Sequence, residues 1–442
     1  MPYNLKIRQI VLLIGDLTIL YFSLFLTLII RYGALSKYLE KHFWPFTLLF
    51  VVWLIAFYVT GLYEIHALKN SQDFSRKFQT ALFINAILGI AFFYILPVGI
   101  TPKTNLSIFF VVFVILVYGW RLMYNHFLSS RVPGKKILLV GTNEITEELV
   151  RYLTQNPQVG YEVTVWLKEG LEEKKVDELS SMISTKQIET IVVPARIKKS
   201  SRIARMIYKN LLSGIEVIDL ADLYEEIFKK IPLPELEEVW FLENLTRSHR
   251  FYEIIKRPIE IILAAALIVV TLPLFLVIAT VILCTSRGEI IFSQRRIGQN
   301  GDEFMIYKFR TMRMDAEKNG PQWATPDDNR VTAIGRFLRK THLDELPQFW
   351  NILKGDLSVI GPRPERPEFV ESLQKEIPFY ELRQLIRPGI SGWAQVNYRY
   401  GASNRDAYEK LQYEIYYLKN RSFIIDVLII LKTIKFFFTN LS

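Results

Sequence analysis

Asp344 and Glu345 are adjacent carboxylates in a stretch crowded with fixed cations. Arg336, Arg339 and Lys340 come just before them. Lys308, Arg310 and Arg313 lie in or beside YKFRTM (Tyr307–Met312). Arg363 stands between Pro362 and Pro364, and Arg387 opens RPGISGWAQV (Arg387–Val396). An ionised aspartate can attack phosphorus, as in aspartyl-phosphate enzymes. It can also hold Mg²⁺, which takes hard oxygen ligands and one or two carboxylates. Taken alone, an Asp-Glu pair is an ordinary helix cap with a first-turn glutamate, and a solvated basic face explains any one cluster. Repeated short basic motifs framed by Gly and Pro fit the holding of a diphosphate. In phosphoryl transfer the protein mainly positions reactants and offsets charge, and this inventory suits that task.

The elements around the pair follow from local rules. Proline is tolerated in a first helical turn, so Pro347 predicts a helix through Gln348–Lys354 with the carboxylates at its start. The N–H groups and positive dipole end there would favour phosphate oxygens. Upstream, Ile259–Cys284 is apolar throughout and carries Pro273 near its middle. Two structures fit that segment: a kinked spanning helix, or a re-entrant hairpin broken at Pro273. Lys256 and Arg257 precede it, and Arg287, Arg295 and Arg296 follow it. Basic residues at both ends favour one membrane face for both, hence the re-entrant form.

The chain has 442 residues, half of them hydrophobic, and a formal charge of +10. Its cations flank apolar runs and form no polybasic tract, so the charge favours a membrane protein over a nucleic-acid partner. The lone Cys284 excludes an intrachain disulfide. Four runs reach spanning length: Ile10–Ile30, Phe43–Leu62, Phe78–Leu96 and Leu106–Tyr124. Lys6, Arg8, Lys69, Arg76, Lys77, Arg131, Lys135 and Lys136 fall on one side of this bundle. Arg31, Lys37, Lys41 and Lys103 fall on the other. The richer side predicts that both ends of residues 1–134 face the cytoplasm. From Lys135 the pattern changes to KKILLVG, YEVTVWL, IETIVVPA and IEVIDL, separated by stretches of helical length. That alternation predicts a small parallel, Rossmann-like α/β domain over 135–225. After Gly141 comes TNEIT, which lacks the dinucleotide glycine fingerprint. The domain is therefore structural or regulatory, with a nucleotide at its strand ends left open. Residues 226–250 read as a linker.

With these segments assembled, residues 251–442 resemble the bacterial polyprenyl-phosphate sugar phosphotransferases, the monotopic phosphoglycosyl transferases in their long form. The resemblance rests on KFRTM, LRKTHLDELPQFWNILKGDLSVIGPRPERPEF, RPGISGWAQVNYRYGAS and KLQYEIYYLKNRSFIIDVLIILKTI. It implies a fold with three parts: a membrane α-helical bundle, the small Rossmann-like α/β domain, and a mainly α-helical (α+β) monotopic catalytic domain with its re-entrant helix at 256–284. It also implies a two-step reaction. An aspartate attacks the sugar-bearing phosphate of a UDP-sugar and releases UMP. Polyprenyl (undecaprenyl) phosphate then takes the phosphosugar, initiating a surface polysaccharide. By that resemblance Asp344 is the nucleophile and a Mg²⁺ ligand, and Glu345 assists. Arg339 and Arg363 hold the nucleotide or phosphate, and Lys308, Arg310 and Arg387 are further motif cations of the substrate site. The implied location is the bacterial inner membrane, with the catalytic part on the cytoplasmic face. The bilayer is then a partner, and a homo-oligomer is compatible. Leu272 departs from the family, where a small or polar residue often precedes the proline.

The tail Phe423–Phe438 reads as an interfacial helix, its Lys432 and Lys435 snorkelling, or as a core helix. Other function classes remain in view. A glycosyltransferase would move the sugar alone and release UDP, but the chain has no Asp-x-Asp motif. A non-enzymatic regulator of polysaccharide assembly would not turn over. YEIIK (Tyr252–Lys256) matches a dehydratase spacing but runs into the apolar segment.

Overall fold

The computed structural model describes residues 3–33, 36–64, 67–95, 102–130, 134–167, 181–195, 208, 214–245, 249–286, 288–313, 316, 328–398, 401 and 403–440. The chain forms two compact units, Met1–Glu226 and Ile227–Ser442.

In the first unit, helices α1 (Tyr3–Tyr32), α2 (Ser36–Val59), α3 (Gln72–Ile95) and α4 (Pro102–Ser130) each hold an apolar stretch long enough to cross a membrane. Their shared core is aromatic, with Phe46, Phe50, Trp53, Phe57, Phe109 and Phe113 all buried. Isoleucines such as Ile14, Ile87 and Ile115 stay exposed on the outer faces. A buried charge in such a bundle must be paired. Asp16 accepts from Arg121 Nε at 3.0 Å and from the Tyr63 hydroxyl at 2.8 Å.

Strands β1 (Lys135–Val140), β2 (Tyr161–Leu167), β3 (Thr190–Val193) and β4 (Glu216–Asp219) fall on the four predicted apolar runs. They pair in parallel in the order β2-β1-β3-β4 among the described residues. Parallel strands need a crossover, and α5 (Glu144–Gln155) supplies it between β1 and β2, opened by an Asn143–Thr146 capping box.

The second unit begins before the predicted boundary. Residues 226–250 were expected to be a linker. Instead Ile231, Leu233 and Phe241 enter the unit's largest core, beside Val370, Trp393, Leu411 and Ile415. Phe241 lies on α6 (Glu238–Leu245). The stretch looks like a linker because its prolines and glutamates mask its apolar anchors, which also include Leu236, Trp240 and Leu245.

Helix α7 (Arg250–Thr285) stays helical through Pro258 and Pro273. In its first half Ala264 packs with Ile306, Ile352 and Leu357. Near its end Ile278 and Ile282 pack with Phe309 and Leu338. Between these contacts Val269, Val270, Leu272, Leu274, Leu276 and Val277 are exposed. The hairpin β5 (Ile291–Ile297) and β6 (Glu303–Phe309) follows, turned at Asn300 and Gly301, both at positive φ. Helices α8 (Ala333–Lys340) and α9 (Gln348–Lys354) bracket the carboxylate pair. Then come β7 (Ser358–Ile360), α10 (Pro367–Glu376), β8 (Gly389–Ser391), α11 (Asn404–Asn420) and α12 (Phe423–Asn440).

Helix α12 has its polar side turned inward. Asp426 is buried against the hydroxyls of Tyr252 and Tyr417, at 2.7 and 2.8 Å. Ile424, Val427, Ile430 and Ile434 are exposed. Lys432 was expected to snorkel, but it donates to Asn397 Oδ1 at 2.5 Å and lies over the Trp393 ring. An apolar outside with a polar inside is the arrangement of a lipid-facing helix.

Candidate active site

Two close backbone approaches build the site's loops. A Cβ on Gly389 would lie 2.1 Å from Gly361 N, and one on Gly392 would lie 2.3 Å from Gly361 O. Glycine is required at all three because backbone passes against backbone. This contact, with the β7–β8 pairing, brings the GPRP and RPGISGW motifs together from 28 residues apart. In the third dimension it delivers Arg363 to the carboxylates.

The dyad itself is not the start of a helix. It lies in a one-turn 3₁₀ segment, Leu343–Glu345, between α8 and α9. His342 takes a left-handed conformation at φ 52° and reverses the chain after α8. Pro347 then caps α9, so the proline sits one position before the helix and not inside its first turn.

The two carboxylates have opposite surroundings. Glu345 Oε1 accepts from Lys308 Nζ at 2.8 Å and from Arg363 Nη2 at 3.0 Å. Burial would push its carboxyl up, but Lys308 and Arg363 more than reverse that and hold it well below the usual carboxylate range. Asp344 is 7% exposed, and its carboxylate takes no hydrogen bond among the described residues. Burial pushes it up; Lys308, His342 and Arg339 oppose, and the ionised Glu345 adds to the rise. Neighbouring titratable groups pushed apart in this way have different roles. Glu345 is a clamped anion that fixes two cations. Asp344 is the more basic carboxylate with its lone pairs open.

Arg339, on α8, donates from Nε to Thr311 Oγ1 at 2.9 Å and lies within electrostatic reach of Asp344. Of the expected substrate cations, Lys308, Arg339 and Arg363 therefore converge on the dyad. Arg310 and Arg387 do not. Arg310 is buried and donates to Ser286 O at 3.0 Å and Ser286 Oγ at 2.7 Å, at the end of α7. The last carbonyls of a helix lack intrahelical donors and favour a cation, which explains its diversion. Arg387 is exposed, and its charged neighbour is Arg257 on α7.

The donor set suits magnesium. Among the described residues no group of three acidic or imidazole side chains is gathered. Mg²⁺ needs no such cage, since it takes one or two carboxylates and completes its shell with water and substrate phosphate. The open Asp344 carboxylate fits that role, whereas Glu345 Oε1 is already committed to two cations.

A bacterial sugar transferase family model matches residues 251–440. A UDP-glucose:undecaprenyl-phosphate glucose-1-phosphate transferase from Xanthomonas campestris pv. campestris is 30% identical over 70% of this chain and 68% of its own length.

The chain belongs to the bacterial sugar transferase family.

A putative undecaprenyl-phosphate N-acetylgalactosaminyl 1-phosphate transferase from Bacillus subtilis is 48% identical over 32% of the chain and 78% of that protein. A UDP-N-acetylgalactosamine-undecaprenyl-phosphate N-acetylgalactosaminephosphotransferase from Aeromonas hydrophila is 42% identical over 52% of the chain. The chain spans about half of that last relative's length, 54%.

Residues outside the motifs also shape this family member's site. Lys256 donates to Ile360 O at 2.9 Å, and Glu260 accepts from Val359 N at 3.0 Å, so α7 grips β7. Arg383 and Glu414 form a buried pair behind Arg363. Glu414 did leave a trace in the sequence. It shares a helical face with Leu411, Ile415 and Leu418, where a charge is out of place.

Proposed function

We propose that the chain transfers a sugar 1-phosphate from a UDP-sugar to polyprenyl phosphate, releasing UMP and forming a polyprenyl-diphospho-sugar. The observation that carries this reading is the divided dyad: Glu345 clamped by Lys308 and Arg363, Asp344 open beside them. In the first step an Asp344 oxygen attacks the sugar-bearing phosphorus. The bond to the bridging oxygen breaks, and UMP leaves with the electron pair. In the second step an oxygen of polyprenyl phosphate attacks the same phosphorus and displaces Asp344. Lys308 and Arg363, held in place by Glu345, offset phosphate charge in both steps. Arg339, within electrostatic reach of Asp344, adds to this. Bound Mg²⁺, held by Asp344, would add further charge neutralisation on the phosphate oxygens.

The deciding measurement is nucleotide release by the purified full chain given polyprenyl phosphate and a panel including UDP-glucose and UDP-N-acetylgalactosamine. UMP from at least one donor is the expected result. UDP would identify a glycosyltransferase instead, and turnover of no donor would leave a regulator.

The same reading places both ends of α7 on the cytoplasmic face of the inner membrane, where UDP-sugars are. A straight α7 of 36 residues would be about 54 Å long, well over a hydrocarbon core of roughly 30 Å. Yet Lys256 and Ala264 in its first half and Ile278 and Ile282 near its end pack on one compact unit, and the exposed apolar stretch lies between them around Pro273. A helix bent at Pro273 and dipping into one leaflet accounts for both facts. Tags near Arg250 and near Arg295 should therefore both be reached from the cytoplasmic side only. Labelling from opposite faces would establish a spanning helix. The parallel sheet of residues 135–219 fits a Rossmann-like domain without the glycine fingerprint, and a structural or regulatory role.

A further inference from the structure

The Pro362-Arg363-Pro364 loop cannot hold itself. Its two prolines have no N–H, so the loop lacks the donors that close an ordinary turn. Its carbonyls are instead gripped one by one from other elements. Pro362 O accepts from Gly389 N at 2.8 Å, and Glu365 O from Ile297 N at 3.0 Å. Pro364 O accepts from Arg296 Nη1 at 3.1 Å. Arg363 O accepts from Arg383 Nη2 at 2.7 Å.

The last grip differs in kind. Arg383 is 7% exposed and Glu414 is 4% exposed. Arg383 Nη2 also donates to Glu414 Oε1 at 2.8 Å and Nη1 to the Tyr380 hydroxyl at 2.6 Å, while Nε lies 2.8 Å from Glu414 Oε2 as an ion pair without hydrogen-bond geometry. Both terminal nitrogens of the guanidinium thus have hydrogen-bond partners, and its orientation is set from α11 and from Tyr380. A buried ion pair adds little net stability over a well-packed apolar pair, because desolvation offsets the attraction. What it supplies is direction. Here it aims one donor at the backbone of the residue whose side chain reaches Glu345.

Building on the function proposed above, we propose that Arg383 is a positioning residue: locked by Glu414 and Tyr380, it holds the Arg363 backbone so that the Arg363 guanidinium meets Glu345 and the donor diphosphate. Arg383 touches no reacting atom. Its contribution passes through Arg363 and vanishes when the Arg363 guanidinium is absent. Lysine cannot replace it, since a single ammonium cannot serve Glu414, Tyr380 and the Arg363 carbonyl in one plane.

The test is a double-mutant cycle on the full chain, reading UMP release from whichever of UDP-glucose and UDP-N-acetylgalactosamine the wild-type protein uses. Arg383→Lys should slow release about tenfold, the scale of one lost charge-assisted hydrogen bond. In an Arg363→Ala background the same substitution should cost no more than about twofold, the scatter of independent sites. Its effect on the unfolding midpoint should be equal in both backgrounds. Equal rate losses in the two backgrounds would make Arg383 a purely structural residue, and no loss in either would show that the loop does not need it; both outcomes overturn the proposal. Should Arg383→Lys not fold, Tyr380→Phe frees one edge of the guanidinium and is judged by the same comparison. If the wild-type protein releases UMP from neither donor, the proposed function fails first, which is distinct from a working enzyme without coupling.

Discussion

Asp344→Asn is expected to prevent formation of a phosphosugar adduct and to cut UMP release by about 10⁴-fold or more, the scale on which nucleophile deletions act. The amide keeps the shape of the side chain but has neither the charge nor the nucleophilic oxygen. The substitution should leave the fold intact. Asp344 accepts no hydrogen bond among the described residues, so no described donor loses its partner. Removing an unpaired buried charge can even raise the unfolding midpoint. The combination is diagnostic: a folded protein, more stable if anything, that binds the UDP-sugar and releases no UMP. Normal UMP release by Asp344→Asn would sink the covalent mechanism, and mass spectrometry of the wild-type protein with donor alone should find the adduct on this residue.

Glu345→Gln should also slow UMP release, by less than Asp344→Asn and for a different reason. Glu345 Oε1 holds Lys308 and Arg363 together, and its side chain is 12% exposed. Removing one partner from a buried charge cluster costs about 3–5 kcal/mol, because the cations left behind are uncompensated. If half of that falls on the reactive geometry, UMP release drops by about 10–100-fold, and the rest appears as a lower unfolding midpoint. Lys308→Met combined with Glu345→Gln separates the two effects. It removes one of the stranded cations, so thermal stability should partly recover. Activity should not recover, since one of the two cations proposed to face the diphosphate is gone. Recovery of both would mean that Glu345 only balances charge and does not organise the site. Retention of the wild-type rate by Glu345→Gln alone would remove Glu345 from the mechanism.

Asp344 and Glu345 are neighbours in the chain, yet their separate roles became visible only in three dimensions. The Asp-Glu pair and the GPRP and RPGISG motifs announce phosphate chemistry through residue type and spacing. Which carboxylate is clamped depends on partners 37 and 18 residues away in the chain. No local pattern encodes such a pairing. Arg310 shows the converse. Its motif resembles that of Lys308, two residues earlier on the same chain segment, but it lies beyond the end of β6 and caps α7. Strand alternation predicts a shared face only while the strand lasts. Glu414 marks the middle ground, a charge on an apolar helical face that signals a buried partner without naming it.

What the sequence determined by itself was everything governed by short-range physics. Apolar runs of bilayer length became α1 to α4 and α7, because the length of an apolar run sets whether it can span. The four β-branched runs became β1 to β4, because strand preference and a crossover of helical length are local properties. Only the tertiary structure decided that residues 227–245 are core and not a linker, that the dyad occupies a 3₁₀ turn, and that Arg387 stands within electrostatic reach of Arg257. It alone turned the polar side of α12 inward and set Arg383 behind Arg363. Each of these depends on which distant groups meet. A buried donor, acceptor or charge takes whichever partner the packing of the whole unit brings within reach.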